Sequence, residues 1–299
     1  MTYAQVLAFG VVVPVIGLAL LVARDRRRPD RGRPGREWTW AWRGQSRGWS
    51  VGVVIVALIV VAMVYTAPWD NHLIATHVWR YRRALISGIV VGEMPLEEVL
   101  FFPAQTLLVC LWLLWLAARE PPARDVSGRA LGRDVASDGK RAIGHWVWPP
   151  MALALLLSAS GCLWLIGLIA LRAPWRSVTY LGWELVWVVP PLALQVVVGG
   201  DIIWRYRRLL CVTVLPVALY LCVIDALAIG EGIWTIDPAQ TLGIRIAGVL
   251  PIEELIFFAA TSTLVAFGLL LGVAGQARLM PFPRRPRGWP TKPSATKAS

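Results

Sequence analysis

Two glutamate pairs have the residue types and the surroundings for acid chemistry. Residues 95–102 read Pro-Leu-Glu-Glu-Val-Leu-Phe-Phe, and residues 251–258 read Pro-Ile-Glu-Glu-Leu-Ile-Phe-Phe. Adjacent carboxyls with little water resist ionisation, because burial and like charge both favour the protonated form. A carboxylic acid that keeps its proton until a substrate needs it is a general acid. The catalytic residues that we predict are Glu97, Glu98, Glu253 and Glu254.

Each glutamate has a phenylalanine four residues later, which places the two side chains on one face of a helix. An aromatic ring face beside an acid can stabilise a cation. Together they suit protonation of an alkene through a carbocation, with four stabilising rings: Phe101, Phe102, Phe257 and Phe258. Pro95 and Pro251 followed by acids are also ordinary helix-start residues. Charges in a bilayer centre cost about 2.5–3.5 kcal/mol each, so two such pairs indicate a use.

The elements that must position these residues are membrane helices. The 299 residues are 57% hydrophobic and 16% charged, with a net charge of +12, whereas soluble domains have about 25% charged residues. Seven apolar segments are long enough to span a bilayer: 3–23, 49–67, 85–117, 147–171, 178–199, 209–229 and 243–273. They are apolar on every face, unlike barrel strands. We predict an all-α integral membrane protein whose third and seventh helices are bent or broken near Pro95 and Pro251.

The distribution of basic residues predicts the orientation. The first, third and fifth gaps between the spans and the carboxyl tail hold 24 of the 30 Lys and Arg residues. Basic residues collect on the cytoplasmic side, so the amino terminus is expected outside a bacterial cytoplasmic membrane and the carboxyl terminus inside. The basic residues lie between apolar runs rather than on one surface, so nucleic acid is not an expected partner.

Other landmarks recur in the same order and indicate an internal duplication. Asp70 and Trp79 are nine residues apart, as are Asp225 and Trp234, and Tyr3 and Pro14 are spaced like Tyr180 and Pro191. We predict two parallel three-helix repeats, 1–118 and 178–273, with both glutamate pairs at one depth. A cytoplasmic linker, 119–146, and a connecting helix, 147–172, would join them, and a disordered basic tail, 276–299, would follow.

Further residues are weaker candidates for the site. Asp70 and Asp225 could accept a departing proton, bind the glutamates or cap helices, and Trp79 and Trp234 could line a pocket. We expect Glu184, which has no acidic counterpart at Leu7, to be structural. The string Trp-Arg-Tyr-Arg-Arg at 79–83 is predicted to anchor the chain at the membrane interface. Within the pairs, Glu97 and Glu253 are expected to matter more, facing the repeat interface.

The two octets, the upstream Asp and Trp and the three-span units resemble the lycopene cyclase domain of the non-flavin, heterodimeric bacterial type, with both subunits fused. The resemblance covers about 3–117 and 178–273, and its octet maps onto both copies here. The family's Trp-Asp pair is present as Trp69-Asp70 but reads Ile224-Asp225 in the second copy. The resemblance implies closure of lycopene's linear ends into β-ionone rings, with no net redox change.

The resemblance and the motifs together define the expected partners and the alternatives. No cofactor and no metal are expected, and the partners would be membrane lipid, a linear carotenoid and other carotenoid enzymes. Cyclisation of fifty-carbon or ε-ring carotenoids remains an alternative, as does a small-solute transporter with parallel repeats. A retinal photoreceptor would need a lysine within a span, and the only lysines, Lys140, Lys292 and Lys297, lie outside the spans.

Overall fold

Seven long apolar helices form the computed structural model, which describes residues 1–27, 50–119 and 148–274. Within these ranges each is long and apolar enough to cross a membrane. They are α1 (Tyr3–Asp25), α2 (Val51–Ala75), α3 (Leu96–Ala117), α4 (Pro150–Arg172), α5 (Thr179–Arg205), α6 (Arg207–Gly230) and α7 (Ile252–Ala274). The predicted class, an all-α protein with several membrane spans, is confirmed.

The first helix changes its winding close to its start. A capping box between Thr2 and Gln5 opens the helix, and Ala8–Val12 is π-helical. Single π turns inside α-helices widen the backbone and redirect carbonyl groups. Here the Gly10 carbonyl accepts a hydrogen bond of 2.8 Å from the Tyr220 hydroxyl of α6. A polar contact therefore joins α1 to α6 inside the apolar layer.

The third and seventh helices start later than predicted. The segments 85–117 and 243–273, expected to bend or break near their prolines, are helical only after those prolines, because α3 begins at Leu96 and α7 at Ile252. Short hairpins precede them: β2 (Val90–Val91) with β3 (Met94–Pro95), and β5 (Arg245–Ile246) with β6 (Leu250–Pro251). Glycines with positive φ interrupt the helical backbone there, at Gly88, Gly92, Gly243 and Gly248. Each of the two long segments is therefore broken at its proline into a β-hairpin and a helix, which is the broken alternative of the prediction.

The loops before these hairpins bind each other. Strand β1 (Trp79–Tyr81) pairs antiparallel with β4 (Trp234–Ile236). Backbone hydrogen bonds extend the contact on both sides, from the Arg82 amide to the Ile233 carbonyl and from the Asp237 amide to the Val78 carbonyl, each at 2.8 Å. The loop after α2 and the loop after α6 therefore form one cover at the same end of the helix bundle.

Helices α3, α6 and α7 supply much of the buried core, and α4 lies outside it, against α5. A Cβ atom added to Gly167 of α4 would lie 3.0 Å from the Gly182 carbonyl oxygen of α5, so the two backbones touch. The predicted linker 119–146, beyond its first residue, and the predicted tail 276–299 lie outside the described residues.

Candidate active site

A cavity lies beneath the paired loops and between the helix ends. Its volume is about 650 Å³, including the space at its mouth. Glu98, Glu254, Asp70 and Asp225 contribute the acidic side chains of its wall. Most of the remaining wall is aromatic or aliphatic. The cavity thus combines few polar groups with an apolar lining, as binding sites for apolar small molecules do.

Glu98, in the first turn of α3, is held by two phenol groups. Its Oε2 accepts hydrogen bonds from the hydroxyls of Tyr3 and Tyr81, the latter at 2.7 Å. Tyr3 belongs to α1 and Tyr81 to β1, so three elements position this one carboxyl. Burial, and after it the Glu98 carboxyl, raises the pKa of Tyr81 well above its usual value, so its hydroxyl stays protonated and donates.

Glu254, in the first turn of α7, has a matching but simpler environment. Its Oε1 accepts a hydrogen bond of 2.7 Å from the Tyr180 hydroxyl of α5. Ile236 occupies the place in β4 that Tyr81 occupies in β1, each being two residues after a tryptophan. Among the described residues Glu254 therefore has one phenol donor where Glu98 has two.

The first glutamate of each pair does not line the cavity, contrary to the expected orientation. Glu97 accepts hydrogen bonds from the Ser87 amide at 2.6 Å and the Ser87 hydroxyl at 3.0 Å. Glu253 accepts one from the Leu242 amide at 2.6 Å. Successive residues of a helix point about 100° apart, so only one of two neighbours can face the cavity. Glu97 and Glu253 instead fix the loops to the helix starts.

Three of the four predicted phenylalanines line the cavity: Phe101, Phe257 and Phe258. The Phe101 and Phe258 rings are 6.3 Å apart and the Phe257 and Phe258 rings 5.3 Å apart, both edge to face. Phe102 is buried in the core instead, at 5% exposure. Pro95 is the N-cap of α3 and Pro251 ends β6, so both prolines set helix starts rather than contact the cavity.

The two loop tryptophans lie over the cavity, as proposed from the sequence. Trp79 packs edge-on against Tyr180, with ring centroids 5.5 Å apart. Trp234 packs against Tyr3 at 4.9 Å and donates its indole N–H to Asp225 Oδ1 at 2.9 Å. Each tryptophan therefore contacts a residue from the other half of the chain, and neither half alone completes its side of the cavity.

The two aspartates are buried in the helices rather than placed as caps. Asp70 is 2% exposed and Asp225 5% exposed, each several residues before its helix ends. One oxygen of each, Oδ2, has no hydrogen-bond partner among the described residues. Both side chains border the cavity. Their buried positions, several residues inside the helices, place these carboxyls beside the cavity.

Three tyrosines donate hydrogen bonds to the cavity glutamates, a role that the sequence did not predict. Tyr3 and Tyr180 appeared there only as spacing landmarks, and Tyr81 lay within a string predicted to anchor the interface. That interpretation of Tyr81 was wrong, because its hydroxyl binds Glu98. A tyrosine at the same place in both copies was the available signal for the first two. Glu184, one helical turn after Tyr180, is 1% exposed and behind the cavity wall.

Comparison with known proteins agrees with this arrangement. The family model described as lycopene cyclase matches residues 39–116 and 177–270, more than half of the chain. The chain belongs to the lycopene cyclase family. A lycopene beta-cyclase of Halobacterium salinarum is 38% identical over 234 residues, which cover 77% of this chain and 85% of that protein. No solved structure matches the chain significantly.

Fungal members of the family are longer. The bifunctional lycopene cyclase/phytoene synthase of Phaeosphaeria nodorum is 34% identical over 248 residues, covering 79% of this chain and 39% of that protein. That of Podospora anserina is 32% identical over 243 residues, covering 77% of this chain and 36% of that protein. The residues that match the lycopene cyclase family model include both glutamate pairs.

Proposed function

We propose that this chain is a lycopene β-cyclase that closes the linear ends of its substrate by acid catalysis in the cavity. The observation that carries the proposal is a pair of phenol-bound carboxyls, Glu98 and Glu254, facing one aromatic cavity. The name lycopene beta-cyclase of the Halobacterium salinarum relative supports the same substrate and ring type.

The proposed reaction begins with proton transfer from Glu98 or Glu254 to the terminal double bond. The resulting tertiary cation is attacked by the next double bond along the chain, which forms the ring carbon–carbon bond and moves the charge into the ring. Loss of a ring proton restores a double bond. The product is an isomer of the substrate, and no electron acceptor or donor takes part.

The cavity residues divide the remaining tasks. The faces of Phe101, Phe257 and Phe258 stabilise the cation, since aromatic quadrupoles attract positive charge. Trp79 and Trp234 cover the cavity and exclude water, which would otherwise capture the cation. Asp70 and Asp225 each offer an unpaired oxygen that can take the departing proton and return it to a glutamate. This cycle needs no flavin, nicotinamide or metal.

The setting of this reaction is also part of the proposal. The Met1 amino group binds Glu231 at 2.8 Å, so the amino terminus lies at the same end as the loops over the cavity. Together with the basic-residue distribution, this favours a site near the outer face of the bacterial cytoplasmic membrane. Two parallel three-helix repeats, 1–118 and 178–273, joined through the linker and α4, would place Glu98 and Glu254 at equal depth.

The test is pigment analysis of a lycopene-accumulating host that expresses the chain. The parental chain should convert lycopene to cyclic product. The Glu98→Gln/Glu254→Gln variant should form that product about 10²–10⁴-fold more slowly than the parental chain. Glu97→Gln should lose less, because an amide oxygen still accepts the Ser87 N–H bond. Glu93→Gln, at an exposed position of the hairpin, is the matched control.

Two results would contradict the proposal. One is parental product formation by the double variant at normal membrane levels, which would remove the acid role. The other is the absence of cyclic product from the parental chain. A product with ε-rings, or activity restricted to a fifty-carbon substrate, would instead correct the ring type or the chain length.

A further inference from the structure

Two contacts between neighbouring helices border the cavity, and we call them seams. They occupy equivalent positions in the two halves of the chain, because each has a tyrosine hydroxyl bound to a backbone carbonyl. In the first, between α1 and α6, the Tyr220 hydroxyl binds the Gly10 carbonyl at 2.8 Å. In the second, between α5 and α2, the Tyr65 hydroxyl binds the Trp187 carbonyl at 2.7 Å. Gly10 follows Tyr3 by seven residues, and Trp187 follows Tyr180 by seven.

The side chains that fill the two seams differ strongly in size. In the second seam the Trp69 and Trp187 rings stack 4.7 Å apart, and the Trp69 indole also stacks on Phe257 at 5.7 Å. The Trp183 carbonyl accepts the Trp69 N–H bond and joins α2 to α5 at the same place. Three large rings, Trp69, Trp187 and Phe257, are therefore stacked in this seam.

The first seam has no aromatic side chain at the three matching positions, and each residue there is smaller than tryptophan. Val6 stands where the second seam has Trp183, Gly10 where it has Trp187, and Ile224 where it has Trp69. A Cβ atom on Gly10 would lie 3.0 Å from Ile224 Cγ2. The gap between α1 and α6 is therefore filled here by the Ile224 side chain, which packs directly against the Gly10 backbone. We call Val6, Gly10 and Ile224 the lateral window.

A groove on the outer surface continues the cavity through this window. Its volume is about 540 Å³, and Val6 and Ile224 line both the groove and the cavity. Phe9, 66% exposed, and Leu227, 58% exposed, make the groove apolar. Polar contacts frame it, with the Met1–Glu231 ion pair at one end and the Tyr220 hydrogen bond at the other.

The other approaches to the cavity are closed by bonded structure. The loop strands β1 and β4 cover the cavity from the aqueous side and are hydrogen-bonded to each other. The Gln240 side-chain amide adds bonds to the Thr76 and His77 carbonyls across the two loops, at 3.3 and 3.1 Å. Opening this cover would break several hydrogen bonds, whereas the side chains that fill the window, Val6 and Ile224, are apolar and make no hydrogen bonds, and one side-chain hydrogen bond, from Tyr220 to the Gly10 carbonyl, lies beside them.

We propose that the lateral window is the entrance to the cavity through the described part of the chain, and that a linear carotenoid passes its end from the bilayer between α1 and α6. This rests on the proposed function and adds the binding site for the rest of the substrate, which is the groove. The occupant is a long acyclic polyene because only its end has to reach Glu98 and Glu254, while the remainder can stay among lipid chains. The aromatic seam then holds the opposite side of the cavity shut.

The first experiment fills the window. Gly10→Trp and Ile224→Trp each install the residue that the closed seam has at that place, and both should reduce cyclic product at least about tenfold, since entry would then require the helices to part. Gly17→Trp is the matched control, because nothing lies within 4 Å of a Cβ atom there. If Gly10→Trp does not accumulate in membranes, Ile224→Trp decides the same question.

The second experiment measures binding without chemistry. The Glu98→Gln/Glu254→Gln chain, purified from lycopene-containing membranes, should retain lycopene that is visible in its absorption spectrum. Adding Gly10→Trp should reduce the retained pigment at least about tenfold, and adding Gly17→Trp should not. Parental product from both window variants, or equal pigment retention, would overturn the window while leaving the cyclase proposal intact.

Two further outcomes separate the hypotheses. A parental chain that makes no cyclic product refutes the proposed function, independently of the window variants. Purified chain that carries phospholipid in the groove, with window variants that cyclise lycopene at the parental rate, identifies the groove as a lipid site only and overturns the entrance.

Discussion

Removal of single phenol hydroxyls should affect the two acid sites unequally. Tyr180→Phe takes away the one phenol donor that Glu254 has among the described residues, whereas Tyr81→Phe leaves Glu98 with Tyr3. A hydrogen bond to a neutral partner contributes about 0.5–1.5 kcal/mol, and one to a charged group about 1.5–3 kcal/mol. Because about 1.4 kcal/mol changes a rate tenfold, Tyr180→Phe should slow cyclisation about tenfold.

The remaining phenol should limit the loss at Glu98. Tyr81→Phe alone is expected to cost a few-fold, since the Tyr3 bond still orients the carboxyl, and the Tyr3→Phe/Tyr81→Phe double variant should fall to the level of Tyr180→Phe. The assay is the initial rate of lycopene loss in isolated membranes, with products separated by chromatography. Tyr65→Phe is the control, because it removes a similar hydrogen bond from a tyrosine that neither lines the cavity nor binds a glutamate.

A double-mutant comparison tests whether Tyr180 acts through Glu254. In the Glu254→Gln background, Tyr180→Phe should cause little further loss, because interacting residues are not additive. Rates of Tyr180→Phe equal to those of Tyr65→Phe, or full additivity with Glu254→Gln, would refute the assignment of Tyr180 as a positioning residue for this acid.

Three other predictions concern the whole molecule. Reporter fusions after residues 45, 130 and 290 should report cytoplasm and one after residue 175 should not; a cytoplasmic signal at 175 would contradict the orientation. Purified protein in lipid should cyclise lycopene without added flavin or nicotinamide, and strict dependence on a reduced cofactor would refute carboxyl-only catalysis. Gly167→Leu should destabilise the contact of α4 with α5 by about 1–3 kcal/mol in thermal unfolding, because its Cβ would meet the Gly182 carbonyl at 3.0 Å. Gly161→Leu has free space and should leave stability unchanged.

The sequence predicted the membrane class well, because that class depends on local composition, whereas the acid role of the glutamates stays a prediction. Apolar runs of spanning length mark helices regardless of their neighbours, and the repeated octet located the two carboxyl pairs. The starts of α3 and α7 were placed wrongly because the apolar runs continue through the hairpins 90–95 and 245–251. Hydropathy does not distinguish an apolar hairpin from a helical turn, whereas the glycines with positive φ do.

The choice within each glutamate pair depended on three-dimensional contacts. Glu97 and Glu98 have the same residue type and the same sequence context, and only the positions of Ser87 and the tyrosines separate their roles. Tyr81 reaches Glu98 because its strand pairs with a strand more than a hundred residues away. A contact of that kind follows from the fold and not from any pattern within the segment.

The pairing of β1 with β4 has the geometry of an isologous contact. Trp79 pairs with Ile236, Arg80 with Thr235 and Tyr81 with Trp234, so the register is centred on Arg80 and Thr235. Rotation by half a turn about that centre exchanges the two tryptophans. An isologous contact uses the same surface patch on both partners, so each patch is fully occupied once two partners have bound. Two separate chains with one three-helix unit each could therefore assemble through this strand, and the assembly would stop at a dimer.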